Sequence, residues 1–209
     1  AKTISITIQE AGRKLIELVD HGCGIPADQL ELAMARHATS KLNQVSDLFS
    51  ISTLGFRGEA LASIGSVSRL TIISRTMDVE VGSRLYVEAG KTGRVEAVSA
   101  LPGTLVRVED LFYNVPARLK FLKTDATERR TMDTLVSRYA LAYPRVRIKM
   151  GDGKSSILQT SGDGDQRAIL ATLYGVEVAR QMLEVVAEEE GLKLKGFISP
   201  ISITRSNRR

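Results

Sequence analysis

At 209 residues, with 43% hydrophobic and 25% charged residues of both signs, the chain is long enough for one domain and part of a second and lacks the composition of a disordered protein. Its 29 Lys+Arg against 24 Asp+Glu leave +5, a mild bias toward an anionic partner such as nucleotide or nucleic acid. A lone cysteine, Cys23, and the separated histidines His21 and His37 exclude an internal disulfide framework and a zinc site, and no run of about 18 apolar residues reads as a membrane span, so a reducing, cytoplasmic setting is expected.

The chain opens on alternation. Ile4, Ile6 and Ile8 against Ser5 and Thr7 predict a strand over 3–8 with one buried face. A strand at the first residue is no signal peptide, and the other end is a polar Arg205-Ser206-Asn207-Arg208-Arg209, so both ends are expected to be cuts. Ala11-Gly12 marks a turn into a second strand over 14–20, and the short connection predicts an antiparallel hairpin. Asp28, with Glu31 three residues on, reads as a capping box opening a helix to about His37. A glycine-bounded loop, Leu54-Gly55-Phe56-Arg57-Gly58, then opens a helix over 59–65.

Strands are predicted over 69–74, 84–89, 94–98 and 104–109, with turns at Gly90-Lys91-Thr92-Gly93 and Pro102-Gly103. Helices follow over 117–122 and 127–142. Strands over 146–150 and 155–159 flank the turn Gly151-Asp152-Gly153-Lys154, a helix covers 166–173, and strands over 182–186 and 192–198 flank an acidic tip at Glu188-Glu189-Glu190. Hairpins and helices in this order predict an α+β fold, with helices layered on one face of a mainly antiparallel sheet. The boundary falls near 173–175: residues 1–173 form one domain, and 174–209 begin a second that is too short to close.

Two stretches carry chemistry. Asp20-His21-Gly22-Cys23-Gly24-Ile25 sets a carboxylate at a strand end before two spaced glycines; it can accept from an exocyclic amine while bare backbone approaches a flat base, although D-x-G-x-G also serves ordinary turns. Gly55-Phe56-Arg57-Gly58-Glu59-Ala60-Leu61 is a glycine loop running into a helix start, where unpaired amides favour phosphate. It matches neither G-x-x-x-x-G-K-S/T nor the three-glycine dinucleotide spacing. No Ser/His/Asp or Cys/His nucleophile set is evident, so no catalytic residue is assigned.

These stretches, in order with Ala35-Arg36-His37-Ala38-Thr39-Ser40-Lys41 between them and Leu111-Phe112-Tyr113-Asn114-Val115-Pro116-Ala117-Arg118-Leu119-Lys120-Phe121-Leu122 after them, resemble the MutL family of DNA mismatch repair proteins from about residue 2 to residue 198. The resemblance implies the GHKL (Bergerat) ATPase fold, with nucleotide held between a helical layer and an antiparallel sheet, and a transducer-like second domain beginning in 174–209. It implies that Asp20 binds the adenine amino group, with Gly22 and Gly24 beside the base and Thr104 supporting the same contact, often through water. It further implies that Thr39, Ser40 and Lys41 belong to a mobile ATP lid, and that Gly55, Phe56, Arg57, Gly58, Glu59, Ala60 and Leu61 form the phosphate loop.

The implied cofactors are ATP and Mg2+. The implied activity is an ATP-binding and ATP-hydrolysing switch that couples mismatch recognition to downstream repair. Its implied partners are a mismatch-recognition protein, other repair proteins, DNA and a second copy paired in the ATP state; a bacterial member would work at the nucleoid. The basic cluster Arg118, Lys120, Lys123, Arg129 and Arg130 is the candidate DNA contact, though a charge run on a helix is usually a solvated face.

Two departures from the family pattern stand out. His21 replaces the usual Asn or Asp and is expected to be a tolerated, partly exposed side chain. The family's first motif, a helix with a water-activating Glu and a Mg2+-binding Asn, is not among these residues, so no metal ligand is assigned and the chain is expected to be catalytically incomplete. Glu59 is not expected to substitute as the base. Without that helix an exposed apolar patch is expected near Ile4, Ile6 and Leu18. The competing readings are another GHKL ATPase, gyrase-type or chaperone, and a non-catalytic remnant with weak or no nucleotide binding.

Overall fold

A computed structural model describes residues 1–38, 54–55 and 57–203. Strand β1 (Thr3–Gln9) and β2 (Leu15–Asp20) form the expected antiparallel hairpin through a 3-10 turn at Glu10–Gly12. Short helices α1 (Leu30–Ala33) and α2 (Ala60–Gly65) follow, then β3 (Arg69–Arg75), β4 (Gly82–Glu88), β5 (Lys91–Thr92), β6 (Glu96–Val98) and β7 (Gly103–Glu109). Helices α3 (Pro116–Leu119) and α4 (Asp125–Ala142) lead to β8 (Arg147–Gly151) and β9 (Ser156–Gln159); α5 (Gln166–Tyr174), α6 (Val176–Gln181), β10 (Leu183–Glu189) and β11 (Leu192–Ile198) complete the described chain.

One sheet runs β5-β4-β3-β7-β2-β1-β8-β9, with β6 also on β4, while β10 and β11 form a separate two-stranded sheet. Only β1 and β8 pair in parallel among the described strands. The fold is thus the expected α+β arrangement with a mainly antiparallel sheet.

Register turns the alternation of single strands into rows across the helical face. Ile8, Ile16, Val108, Leu70 and Val87 lie side by side, as do Ile6, Leu18, Val106, Ile72 and Leu85. The next row reads Ile4, Asp20, Thr104, Ser74, Ser83: at this end of the sheet the same face turns polar. The opposite face carries ion pairs between strands, Glu17 with Arg107, Arg69 with Glu88 and Asp110, and Arg84 with Glu96. Such exposed pairs are worth about 0–1 kcal/mol each and mark a solvated surface.

Two apolar clusters cover the helical face. Ile8, Ile148, Met150 and Leu158 meet Val136 and Ala140 of α4 and Ile169 of α5, and Leu70, Ile72, Leu85, Val87 and Val108 meet Leu30 of α1, with Leu61 and Ile64 of α2 packed alongside. Between the clusters Leu18 is 40% exposed, although Met150 and Ile72 in the same row are buried. Exposed apolar surface is therefore found at Leu18, while Ile6 is half-buried against the first cluster.

The structure corrects several local readings. Asp28 caps nothing: a 3-10 turn at Ala27–Gln29 delivers Leu30 into the core without a side-chain cap, the α-helix is over by Ala33, and the chain turns at His37, whose φ is 65°. The turn over 90–93 contains β5, which pairs back on the end of β4 at Val87 and Glu88. Beyond residue 175, where strands alone were expected, α6 intervenes: Gly175, at φ 92°, stops α5 and starts α6, whose Ala179 is buried. The Arg167 guanidinium donates to the carbonyls of Ala179 (2.5 Å) and Met182 (2.9 Å) and lies over the Phe197 ring, tying α5 and α6 to the hairpin.

Candidate functional site

The polar end of the helical face is built where three strand termini meet. Asp20 closes β2, and its Oδ1 accepts from the Gly22 amide at 2.7 Å. A Cβ on Gly22 would stand 2.7 Å from that oxygen, so glycine is what lets the turn close on the carboxylate. Gly24, at φ 75°, lies on the end of β3: a Cβ there would stand 2.2 Å from the Arg75 carbonyl oxygen. Gly103, at φ 121°, lies in the same way on the Asp20 carbonyl, with 2.1 Å for the corresponding distance. These close backbone approaches require glycine. Thr104 then stands opposite Asp20 in the register.

Ser74 joins these pieces. It is 1% exposed. Its Oγ accepts from the Ile25 amide at 2.7 Å, donates to the Gly103 carbonyl at 2.9 Å and lies 2.9 Å from Thr104 Oγ1. Sequence reasoning missed it, yet a signal was present: a serine at an inward position of the alternating run Leu70, Ile72, Ser74 is a buried hydroxyl that needs partners. His21 is exposed, as expected, and its amide donates to the Thr3 carbonyl at 3.3 Å.

A second group forms around the glycine loop. Gly58, at φ 63°, presses on Ala38; a Cβ would meet the Ala38 carbonyl oxygen at 2.0 Å. Glu59 is engaged by His37, Nδ1 to Oε1 at 3.1 Å. Among the described residues nothing lies within 4 Å of where a Gly55 Cβ would stand. Arg57 and Ala60 are exposed, while Leu61 packs into the core beside Leu30 and Leu70. The implied Thr39, Ser40, Lys41 and Phe56 lie outside the described residues.

The structure thus brings Asp20, Gly22, Gly24 and Thr104 together with Ser74 and Gly103, and Gly58 and Glu59 together with His37 and Ala38. In the basic cluster Arg118, Lys120, Lys123 and Arg130 are exposed, Arg129 is half-buried, and Phe121 beside them is 85% exposed. Among the described residues no group of three or more His, Cys, Asp or Glu side chains is placed to hold a metal ion, and no helix is long and apolar enough to cross a membrane.

No family model matches the chain. The chain is 45% identical over 206 residues to the DNA mismatch repair protein MutL of Streptococcus equi, a match that covers 98% of the chain and 31% of that relative. It therefore spans about a third of the length of the curated relatives it matches. Its fold is similar to the Aquifex aeolicus MutL ATPase domain complexed with ADP, at a TM-score of 0.70 and 29% identity over 95% of this chain and 69% of that one. It is also similar to the N-terminal domain of a DNA repair protein, at 0.76 and 28% over 95% and 62%. By sequence along nearly its whole length and by the ATPase-domain fold of its structural neighbours, the chain belongs to the MutL family of DNA mismatch repair proteins.

Proposed function

We propose that this chain is the nucleotide-binding portion of a mismatch repair switch, holding an adenine nucleotide at the polar end of its helical face. The observation that carries this reading is the convergence of Asp20, Gly22, Gly24 and Thr104 around buried Ser74. The Asp20 carboxylate has one oxygen taken by the Gly22 amide and a second left to accept from an exocyclic amine. Gly22 and Gly24 bring bare backbone beside a flat base. The Aquifex domain solved with ADP supports the same class of ligand.

ATP would lie with its base at Asp20 and Thr104 and its phosphates toward Gly55–Leu61 and the Thr39-Ser40-Lys41 stretch. Helix α2 has only six residues, so the amides of the loop, rather than a strong helix dipole, would meet the phosphates. Among the described residues no carboxylate cluster is placed to hold Mg2+. Glu59, the carboxylate of the loop, is engaged by His37 through one of its oxygens, and it is not assigned as a base. The chain itself is thus proposed to bind nucleotide without turning it over, residues 1–173 being the binding domain and 174–209, with its own small sheet, the start of a second. Pairing of two copies, contact with a mismatch-recognition protein, and DNA at the Arg118–Arg130 cluster belong to the same proposed switch, acting in the cytoplasm.

Isothermal titration of the chain with ATP and ADP tests this. Asp20→Ala should weaken both roughly tenfold or more, the loss of one charge-assisted bond of about 1.5–3 kcal/mol. Unchanged affinity in a variant with unchanged circular dichroism would refute the site. Phosphate release should not exceed that of buffer, and a Mg2+-dependent rate abolished by Asp20→Ala would refute the non-hydrolysing part.

A further inference from the structure

Ser74 Oγ has three partners and one proton. The Ile25 amide at 2.7 Å can only donate, so it occupies one lone pair. The Gly103 carbonyl at 2.9 Å can only accept, so it takes the hydroxyl proton. One lone pair remains for Thr104 Oγ1 at 2.9 Å, and Thr104 must therefore be the donor in that contact. With its proton committed inward, Thr104 has only lone pairs to offer outward. Asp20, its partner in the β2–β7 register, is likewise an acceptor when ionised.

We infer that Ser74 is a positioning residue for base selection: by holding the Thr104 proton it makes the site an all-acceptor edge, which admits an amine and rejects a carbonyl. The inference rests on the nucleotide reading above. Adenine offers its exocyclic amine to such an edge. Its neighbouring ring nitrogen, an acceptor, cannot touch Thr104 directly and needs a bridging donor such as water. Guanine places a carbonyl oxygen where adenine has the amine, acceptor against acceptor. Without the Ser74 hydroxyl the Thr104 proton is released to turn outward, and guanine gains a donor.

The test uses the 209-residue chain and two readouts. Without ligand, thermal denaturation compares Thr104→Val in the parent and in Ser74→Ala; the fall seen in the parent should largely disappear in Ser74→Ala, where the Thr104 proton has lost its acceptor. Additive falls would overturn the proton assignment. With ligand, titration with ATP and with GTP should give a parent preference for ATP of roughly 10²-fold. Ser74→Ala should narrow that preference roughly tenfold, and Ser74→Thr, which keeps a hydroxyl, should restore it. A merely structural Ser74 would weaken both nucleotides by the same factor, and an unchanged ratio overturns the inference. Should Ser74→Ala fail to fold, Ser74→Cys fills the same space with a weaker donor and carries the same comparison. A parent that binds neither nucleotide while the thermal coupling holds refutes the nucleotide reading and the base-selection role, and leaves the proton assignment standing.

Discussion

Gly24→Ala puts the central packing claim of the site at risk. The residue has φ 75°, and its Cβ would stand 2.2 Å from the Arg75 carbonyl oxygen and 2.6 Å from the carbonyl carbon. A left-handed conformation costs alanine about 1–2 kcal/mol. The clash is with backbone at the end of β3, where Arg75 is still paired with Gly103, so no side chain can rotate away, and the loop must lift. Lifting it pulls the Ile25 amide from Ser74 Oγ, now 2.7 Å away, and a buried bond broken this way costs about 1–3 kcal/mol. The combined loss is roughly 2–5 kcal/mol, against a usual domain stability of about 5–15 kcal/mol. At about 2–4 °C per kcal/mol for a chain of this size, the melting temperature should fall by roughly 4–20 °C. Differential scanning calorimetry measures it, with Gly196→Ala as the control: that glycine has open space around its Cβ position, and its replacement should shift melting by no more than about 2 °C. A Gly24→Ala chain melting with the control would mean that the loop does not rest on β3 as described.

Leu70→Ala, at a fully buried position, should cost about 2–5 kcal/mol in chemical denaturation, and Leu18→Ala, 40% exposed in the adjacent row, less than half of that; equal losses would show the Leu18 face to be covered. Thr160→Val keeps the shape but removes the hydroxyl that accepts from the buried Ile148 amide at 2.9 Å, and should cost about 1–3 kcal/mol; no loss would refute that bond. The Ser155 and Lys154 amides hold the Asp152 carboxyl at about 2, below its ordinary 3.8. A depressed folded value means stability that is present above the ordinary value and lost as pH falls through the folded one. Asp152→Asn should therefore melt below the parent near neutral pH, with the gap closing between about pH 4 and pH 2; a pH-independent gap would refute the assignment.

Strands were legible from plain local signals: alternation along β1, an apolar run along β3, and Gly or Pro beside β2, β4 and β7. Helices at the site were less so. The Asp28 to Glu31 spacing satisfies a capping box on paper, but burying Leu30 decides the local geometry, and a 3-10 turn does so without a cap. Val176 and Val178 favour strand locally, whereas the burial of Ala179 and the Arg167 contacts at the end of α6 favour helix, and tertiary packing wins. At the site, Asp20 and the glycines could be singled out because each departs from its surroundings. Ser74 could not be ranked above other serines until the register placed it beside Thr104, since its importance lies in partners from β7 and the Gly24 loop.

The parallel pairing of β1 with β8 orders events in time. β1 binds its neighbour β2 at once through a tight turn, but its other edge is filled only by residues around Arg147–Gly151. Likewise β7 sits between β2 and β3, so the β1–β2 and β3–β4 hairpins are joined only after both exist. During synthesis the early hairpins would wait with open edges until β7 and then β8 emerge, and contacts so distant along the chain slow folding. The slow phase of refolding should accordingly report the seating of β7 and β8, with the local hairpins already formed.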